Sequence, residues 1–197
     1  DLSTAWHVST ATFNQNFSVQ GQENSPNAIF FKDDGTKMFI TGQAGDDVNE
    51  YTLSTAWDVS TASYSQNFSV SAQDNAPMGI FFKGDGTEMY IIGDQNDDIY
   101  QYNLTTGWDV STASYDTNLA ITGSGSPGET QPEGIAFKSD GTKMFLIGEG
   151  NDTVEEFTLS TAWDLSTASY AGSSERFFIN QQDTAPRDVF FKTDGTK

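Results

Sequence analysis

The chain of 197 residues contains no cysteine, a single histidine (His7), and only 9 lysines and arginines against 28 aspartates and glutamates. Without cysteine there are no disulfides, thiolate zinc sites or cysteine nucleophiles. A formal net charge of −19 argues against nucleic-acid backbones and anionic membranes as partners, because both are held by Lys and Arg. No apolar run approaches the roughly 18 residues of a membrane span, and the opening residues do not read as a signal peptide. What the chain does have is aromatic bulk: 13% of residues, with 15 phenylalanines. That is too much for a disordered acidic tail, and the length is enough to bury a core.

Internal repetition dominates. Ser3-Thr4-Ala5-Trp6 returns as Ser54-Thr55-Ala56-Trp57, Thr105-Thr106-Gly107-Trp108 and Ser160-Thr161-Ala162-Trp163, so the tryptophans are spaced by 51, 51 and 55 residues. Gly35-Thr36 recurs at Gly86, Gly141 and Gly195, followed by Lys except in the second copy, which has Glu88. A unit near 50 residues suits a four-stranded blade if its pattern is β. In the second copy, Ile80-Phe81-Phe82-Lys83 and Met89-Tyr90-Ile91-Ile92 flank an Asp-Gly turn, a strong hairpin signal. Ile99–Leu104 follows as a third strand. In the outer strand, Ala62, Tyr64, Phe68 and Val70 alternate with polar residues at period two. The two inner strands are apolar on both faces and the outermost is half wet, as in radially stacked blades. The reading is an all-β propeller of four-stranded antiparallel blades, strands A to D from the axis outward.

Pro77-Met78-Gly79-Ile80-Phe81-Phe82-Lys83-Gly84-Asp85-Gly86-Thr87-Glu88-Met89-Tyr90 resembles the YVTN/NHL-type propeller repeat, with its Pro-x-Gly-Ile/Val entry and Asp-Gly-Thr turn. Tyr51–Tyr64 is similar to uncharacterised repeat propellers of marine bacteria and their phages. The resemblance spans essentially the whole chain and implies the propeller fold; function lies in sites grafted on it.

The expected layout is a single repeat array over 1–197. Residues 1–25 form a partial blade (the end of strand C, then D). Blades at 26–76, 77–131 and 132–185 are complete, and 186–197 forms a second partial blade (strand A and its turn). This reads as a segment of a longer repeat chain. The rival is two copies that complete one another's blades by self-association.

Repeat-to-repeat variation points to one face. Both insertions, Gly123–Glu129 and Gly172–Glu175, fall between strand D and the next entry proline, on the side that also carries the variable B–C turns. Diverse loops on a rigid scaffold are where recognition usually sits. The residues after the entry prolines, Asn27, Met78, Glu133 and Arg187, are expected to ring the channel mouth there. Asp46, Asp47, Asp97, Asp98, Asn151 and Asp152 cluster on the same face. They are the better calcium candidates, because hard cations want clustered oxygens; the Asp34, Asp85, Asp140 and Asp194 turns read as structural. The tryptophans, which could stack on sugars, read as inter-blade packing anchors. His7 stands where later copies have Asp and reads as a turn residue.

No G-x-S-x-G elbow, phosphate loop or HExxH occurs, and the axis-facing set looks incomplete and mixed. The sequence therefore points away from an enzyme: no catalytic residue, no metal site and no required cofactor. It points instead to an extracellular, cell-surface or virion-associated module that presents loops to a glycan or surface protein. Two alternatives stand beside it: a calcium-dependent propeller hydrolase or lactonase, which the resemblance keeps open, and a self-assembling structural module.

Overall fold

The computed structural model describes residues 2–5, 7–123, 125–192 and 194–195. Trp6 of the tryptophan set, Ser124 of the longer insertion, and Thr193 and Lys197 of the last turn lie outside the described residues. Three antiparallel sheets follow one another along the chain. The first comprises β1 (Pro26–Phe31), β2 (Lys37–Gly42), β3 (Asp47–Leu53) and β4 (Ala62–Ser69). The second comprises β5 (Pro77–Phe82), β6 (Glu88–Gly93), β7 (Asp98–Leu104) and β8 (Ala113–Ala120). The third comprises β9 (Pro132–Phe137), β10 (Lys143–Gly148), β11 (Thr153–Leu159) and β12 (Ala168–Tyr170), with β13 (Phe177–Phe178) also pairing with β11. Among the described residues there is no α-helix, only single 3₁₀ turns such as Val59–Thr61. This is the propeller architecture, with blades in an open arrangement.

Local chemistry makes each blade. In the A–B turn, Asp34 Oδ1 accepts from Thr36 N at 2.9 Å and Thr36 Oγ1 at 2.6 Å, while Gly35 takes φ 71°. The Lys32 ammonium, then Thr36, hold the Asp34 carboxyl down at about 2. Asp85 and Asp140 repeat the arrangement with Thr87 and Thr142. In the C–D turn, Asp58, Asp109 and Asp164 cap their 3₁₀ turns by accepting from Ser60, Ser111 and Ser166.

Blades meet through aromatic rings. Phe39 of β2 packs on Phe82 of β5, and Tyr90 of β6 on Phe137 of β9, each pair with centroids 4.4 Å apart. Trp108 stacks over Phe82 at 5.4 Å and Trp163 over Phe137 at 5.3 Å, closing each seam from the C–D turn. The tryptophans are thus packing elements. Trp57, Trp108 and Trp163 sit at φ 65°, 65° and 70°, unfavourable for a bulky side chain. They are held there because each N–H bonds the carbonyl of Gly35, Gly86 or Gly141, over which the ring lies. A Cβ on Gly86 would stand 2.4 Å from Trp108 Cγ, so this glycine is needed for both its positive φ and its emptiness.

The inner strands β1, β5 and β9 lie side by side around the axis. Their third residues are small (Ala28, Gly79 and Gly134), and the next blade presses on both glycines. A Cβ on Gly79 would fall 2.6 Å from the Glu133 carbonyl oxygen, and one on Gly134 2.7 Å from Asp188 Cα.

The terminal pieces carry the seams without forming sheets. Phe191 stacks on Phe145 at 4.4 Å and Phe17 packs on Tyr51 at 5.6 Å. However, 186–192 is not strand, and residues 2–25 contribute one isolated bridge, Leu2 to Ala11, and a single 3₁₀ turn. Among the described residues, no second strand stands beside 186–192 to complete a ladder.

The seam makes a differential prediction. Trp108 is 8% exposed and Trp57 58%. In urea unfolding, Trp108→Ala is expected to cost about 3–5 kcal/mol and Trp57→Ala clearly less; equal costs would contradict the seam.

Candidate active site

The site begins with carboxylates buried behind the loops. Glu23, Asp74 and Glu129 are 1%, 1% and 0% exposed. Each stands three residues before an entry proline, and each grips the next B–C turn through backbone N–H groups. Glu23 accepts from Ser25 N at 2.5 Å and from Ala44 N and Gly45 N at 3.1 Å. Asp74 accepts from Ala76 N at 2.7 Å and Asn96 N at 3.2 Å. Glu129 accepts from Thr130, Gln131, Gly150 and Asn151 N at 2.8–3.1 Å. Convergent amide dipoles are what make a buried carboxylate tolerable. The close approach also requires Gly42, Gly93 and Gly148 at the end of each second strand; a Cβ on Gly93 would lie 2.2 Å from the Asp74 carboxyl carbon.

The residue after each of those glycines is Gln43, Asp94 or Glu149, fixed by a backbone bond from its N–H to the carbonyl of Ser25, Ala76 or Gln131. Gln43 lines the axial cavity, Glu149 pairs with Arg187, and the charge of Asp94 reaches Glu133. The cavity, of about 520 Å³, is lined by Asn27, Gln43, Met78, Glu133, Arg187 and Asp188, among others. Asn27 Nδ2 donates to the Pro77 carbonyl at 2.9 Å, and Met78 Sδ lies 3.3 Å from both the Asn27 and Gln43 amide nitrogens. The Arg187 guanidinium binds Glu133 through Nη1 and Glu149 through Nη2. Glu133 is only 7% exposed. Burial, seconded by the charges of Glu149 and Asp94, pushes its carboxyl up to about 7 against the opposing pull of Arg187. Burial also raises Asp94, helped by Asp74 and Glu149.

All four post-proline residues named from the sequence therefore meet at the mouth. The B–C turn residues do not join them. Asp46, Asp97 and Asp152 occupy the left-handed position of their turns, at φ 49°, 54° and 51°. Asp47 accepts from the Asn49 and Asn67 amides at 2.5 Å, and Asp98 from Asn118 at 2.6 Å. Asn151 bonds Glu129 and the Pro127 carbonyl. None of the six lines the axial cavity. Asp97 Oδ1 and Asp152 Oδ1 are buried without a hydrogen-bond partner, yet they stand in separate blades. Among the described residues no group of three or more His, Cys, Asp or Glu side chains could hold a metal ion.

A second cavity, of about 510 Å³, opens among the seam rings Phe30, Phe81, Trp108, Phe137 and Trp163 and belongs to the packing. No helix among the described residues is long and apolar enough to cross a membrane.

No protein-family model and no curated protein matches the chain. Solved structures do. A candidate 6-phosphogluconolactonase from Bacteroides uniformis superposes with a TM-score of 0.61 at 14% identity, over 86% of this chain and 45% of its own. One from Bacteroides fragilis gives 0.55 at 13%, over 78% and 39%. The periplasmic gluconolactonase of Pseudomonas aeruginosa gives 0.51 at 14%, over 75% and 38%. The chain thus spans less than half the length of these three structures, and at such identity the likeness establishes the propeller fold.

The lactonase names of these three structures overturn the expectation of a non-enzymatic loop-presenting module and of a chain without catalytic function. The physical reason for the misreading is visible at the mouth. The axis-facing set looks mixed along the chain because it assembles unlike groups, carboxyls, a guanidinium and amides, into one cavity.

The buried clamp can be tested directly. Glu129→Ala leaves four backbone N–H groups without their acceptor. It is expected to cost at least about 2 kcal/mol and to speed amide exchange at Gly150 and Asn151. Unchanged exchange at those two amides would show that the carboxylate does not hold the turn.

Proposed function

We propose that this chain supplies the working mouth of a lactonase-type propeller hydrolase. The observation that carries the reading is Glu133, a nearly buried carboxyl with its pKa near 7, facing a cavity beside the Arg187 guanidinium. A group poised near the operating pH is what general acid–base catalysis requires. The lactonase names among the superposing structures and the YVTN/NHL-type character of the repeat support the same reading, and an extracytoplasmic setting belongs to the same proposal.

In this scheme a water attacks the lactone carbonyl carbon and gives its proton to the Glu133 carboxylate. Arg187, a five-donor group with Nη1 and Nη2 each engaging one carboxylate, turns a further N–H to the oxyanion of the tetrahedral intermediate. The intermediate collapses with cleavage of the ring C–O bond. Glu133 returns the proton to the departing alkoxide, and a hydroxy acid leaves. Glu149 positions Arg187 through the second guanidinium nitrogen.

Because the base form is the deprotonated one, hydrolysis of glucono-δ-lactone by the full chain is expected to rise with pH through an apparent pKa near 7. Glu133→Gln is expected to remove that limb and lower kcat/KM by about 10²–10⁴-fold, and Arg187→Ala by about 10²–10³-fold. A pH limb that survives Glu133→Gln would dismiss the assignment.

A further inference from the structure

We propose that the mouth admits an uncharged polyhydroxylated lactone and turns away its phosphorylated counterpart. The inference rests on the hydrolase reading and deepens it by fixing the charge of the substrate. Its basis is the placement of cations. Lys32, Lys83, Lys138 and Lys192 flank the A–B turns, and three of them pair with the turn aspartates at 2.6–2.7 Å. Lys37 and Lys143 open β2 and β10 at that same end and pair with Glu50 and Glu156 at 2.5 Å. Arg176 is bound to Glu155 at 2.7 Å on the outer part of the third blade. Among the described residues Arg187 is therefore the one cation at the mouth, and both its terminal nitrogens already face carboxylates.

A phosphate dianion needs Lys or Arg charge that carboxylates do not already balance, and the single guanidinium here is shared between two of them. Here it would meet Asp94, Glu133, Glu149 and Asp188 instead. The far lysines cannot help. A second strand is 6 residues long, so they stand roughly 20 Å away, about two Debye lengths at 0.1 M salt. Hydroxyl groups, by contrast, find carboxylate acceptors in Asp94 and Glu149, and amides that both donate and accept in Asn27 and Gln43.

The test uses the full chain and two pairs of probes: glucono-δ-lactone with its 6-phosphate for turnover, and the unreactive polyols glucitol and glucitol 6-phosphate for binding by NMR titration. The neutral lactone is expected to show kcat/KM at least about tenfold above the phosphorylated one, and glucitol to bind at least about tenfold more tightly than its phosphate at low salt, with the gap narrowing as salt rises. Equal or tighter binding of glucitol 6-phosphate, a preference for the phosphorylated lactone, or no binding of either polyol overturns the inference. Turnover of neither lactone with the polyol selectivity intact removes the hydrolase reading and leaves the charge selectivity standing.

Discussion

One ring pressed against another, 4.4 Å apart across each blade boundary, fixes how far one sheet is turned from the next. Everything at the axis inherits its position from that contact. Phe39 on Phe82 and Tyr90 on Phe137 lie deep in the seams, with a tryptophan closing each one. Aromatic burial of this size dominates the energetics of a core, which is why the chain tolerates three tryptophans in left-handed backbone and a large surplus of like charge. The same contact repeats from blade to blade, so neighbouring entry strands stay close enough for their carbonyls to touch the glycines beside them.

The mouth depends on a second, polar constraint that the seam does not supply. A buried carboxylate in each blade gathers the amides of the following turn, and that turn carries Gln43, Asp94 or Glu149 to the axis. The scaffold is thus regular while the groups it delivers are not. Identical geometry at three blades presents an amide, an acid and another acid in one ring, and an amide, a thioether and an acid in the other, to which the segment after the third blade adds the Arg187 guanidinium. Chemistry at the axis arises from breaking the repeat in composition while keeping it in backbone.

The fold was legible in the sequence because its signals are local: the Asp-Gly turns, the entry prolines and the period-two outer strand each occupy a few adjacent residues. The post-proline positions could be named by the same logic. Their chemistry could not, because Glu133 becomes unusual only through Glu149 and Arg187, residues 16 and 54 positions further along. The clamps were missed although a plain signal exists: an acid three residues ahead of every entry proline, at Glu23, Asp74, Glu129 and Asp183. The paired aspartates, read as candidate ligands, lie away from the axial cavity. Adjacent acids look like ligands on paper, but one member sets a left-handed turn and its neighbour is tied to asparagine side chains or the sheet.

Asp188 stands where the three earlier entry strands have Ala28, Gly79 and Gly134. Those small residues let the following strand come within touching distance, whereas a carboxylate obliges whatever lies next to it to stand off by its own width. At this one position along the ring, a charged oxygen faces the axial cavity next to the guanidinium, where the other blades offer only a methyl group or a hydrogen.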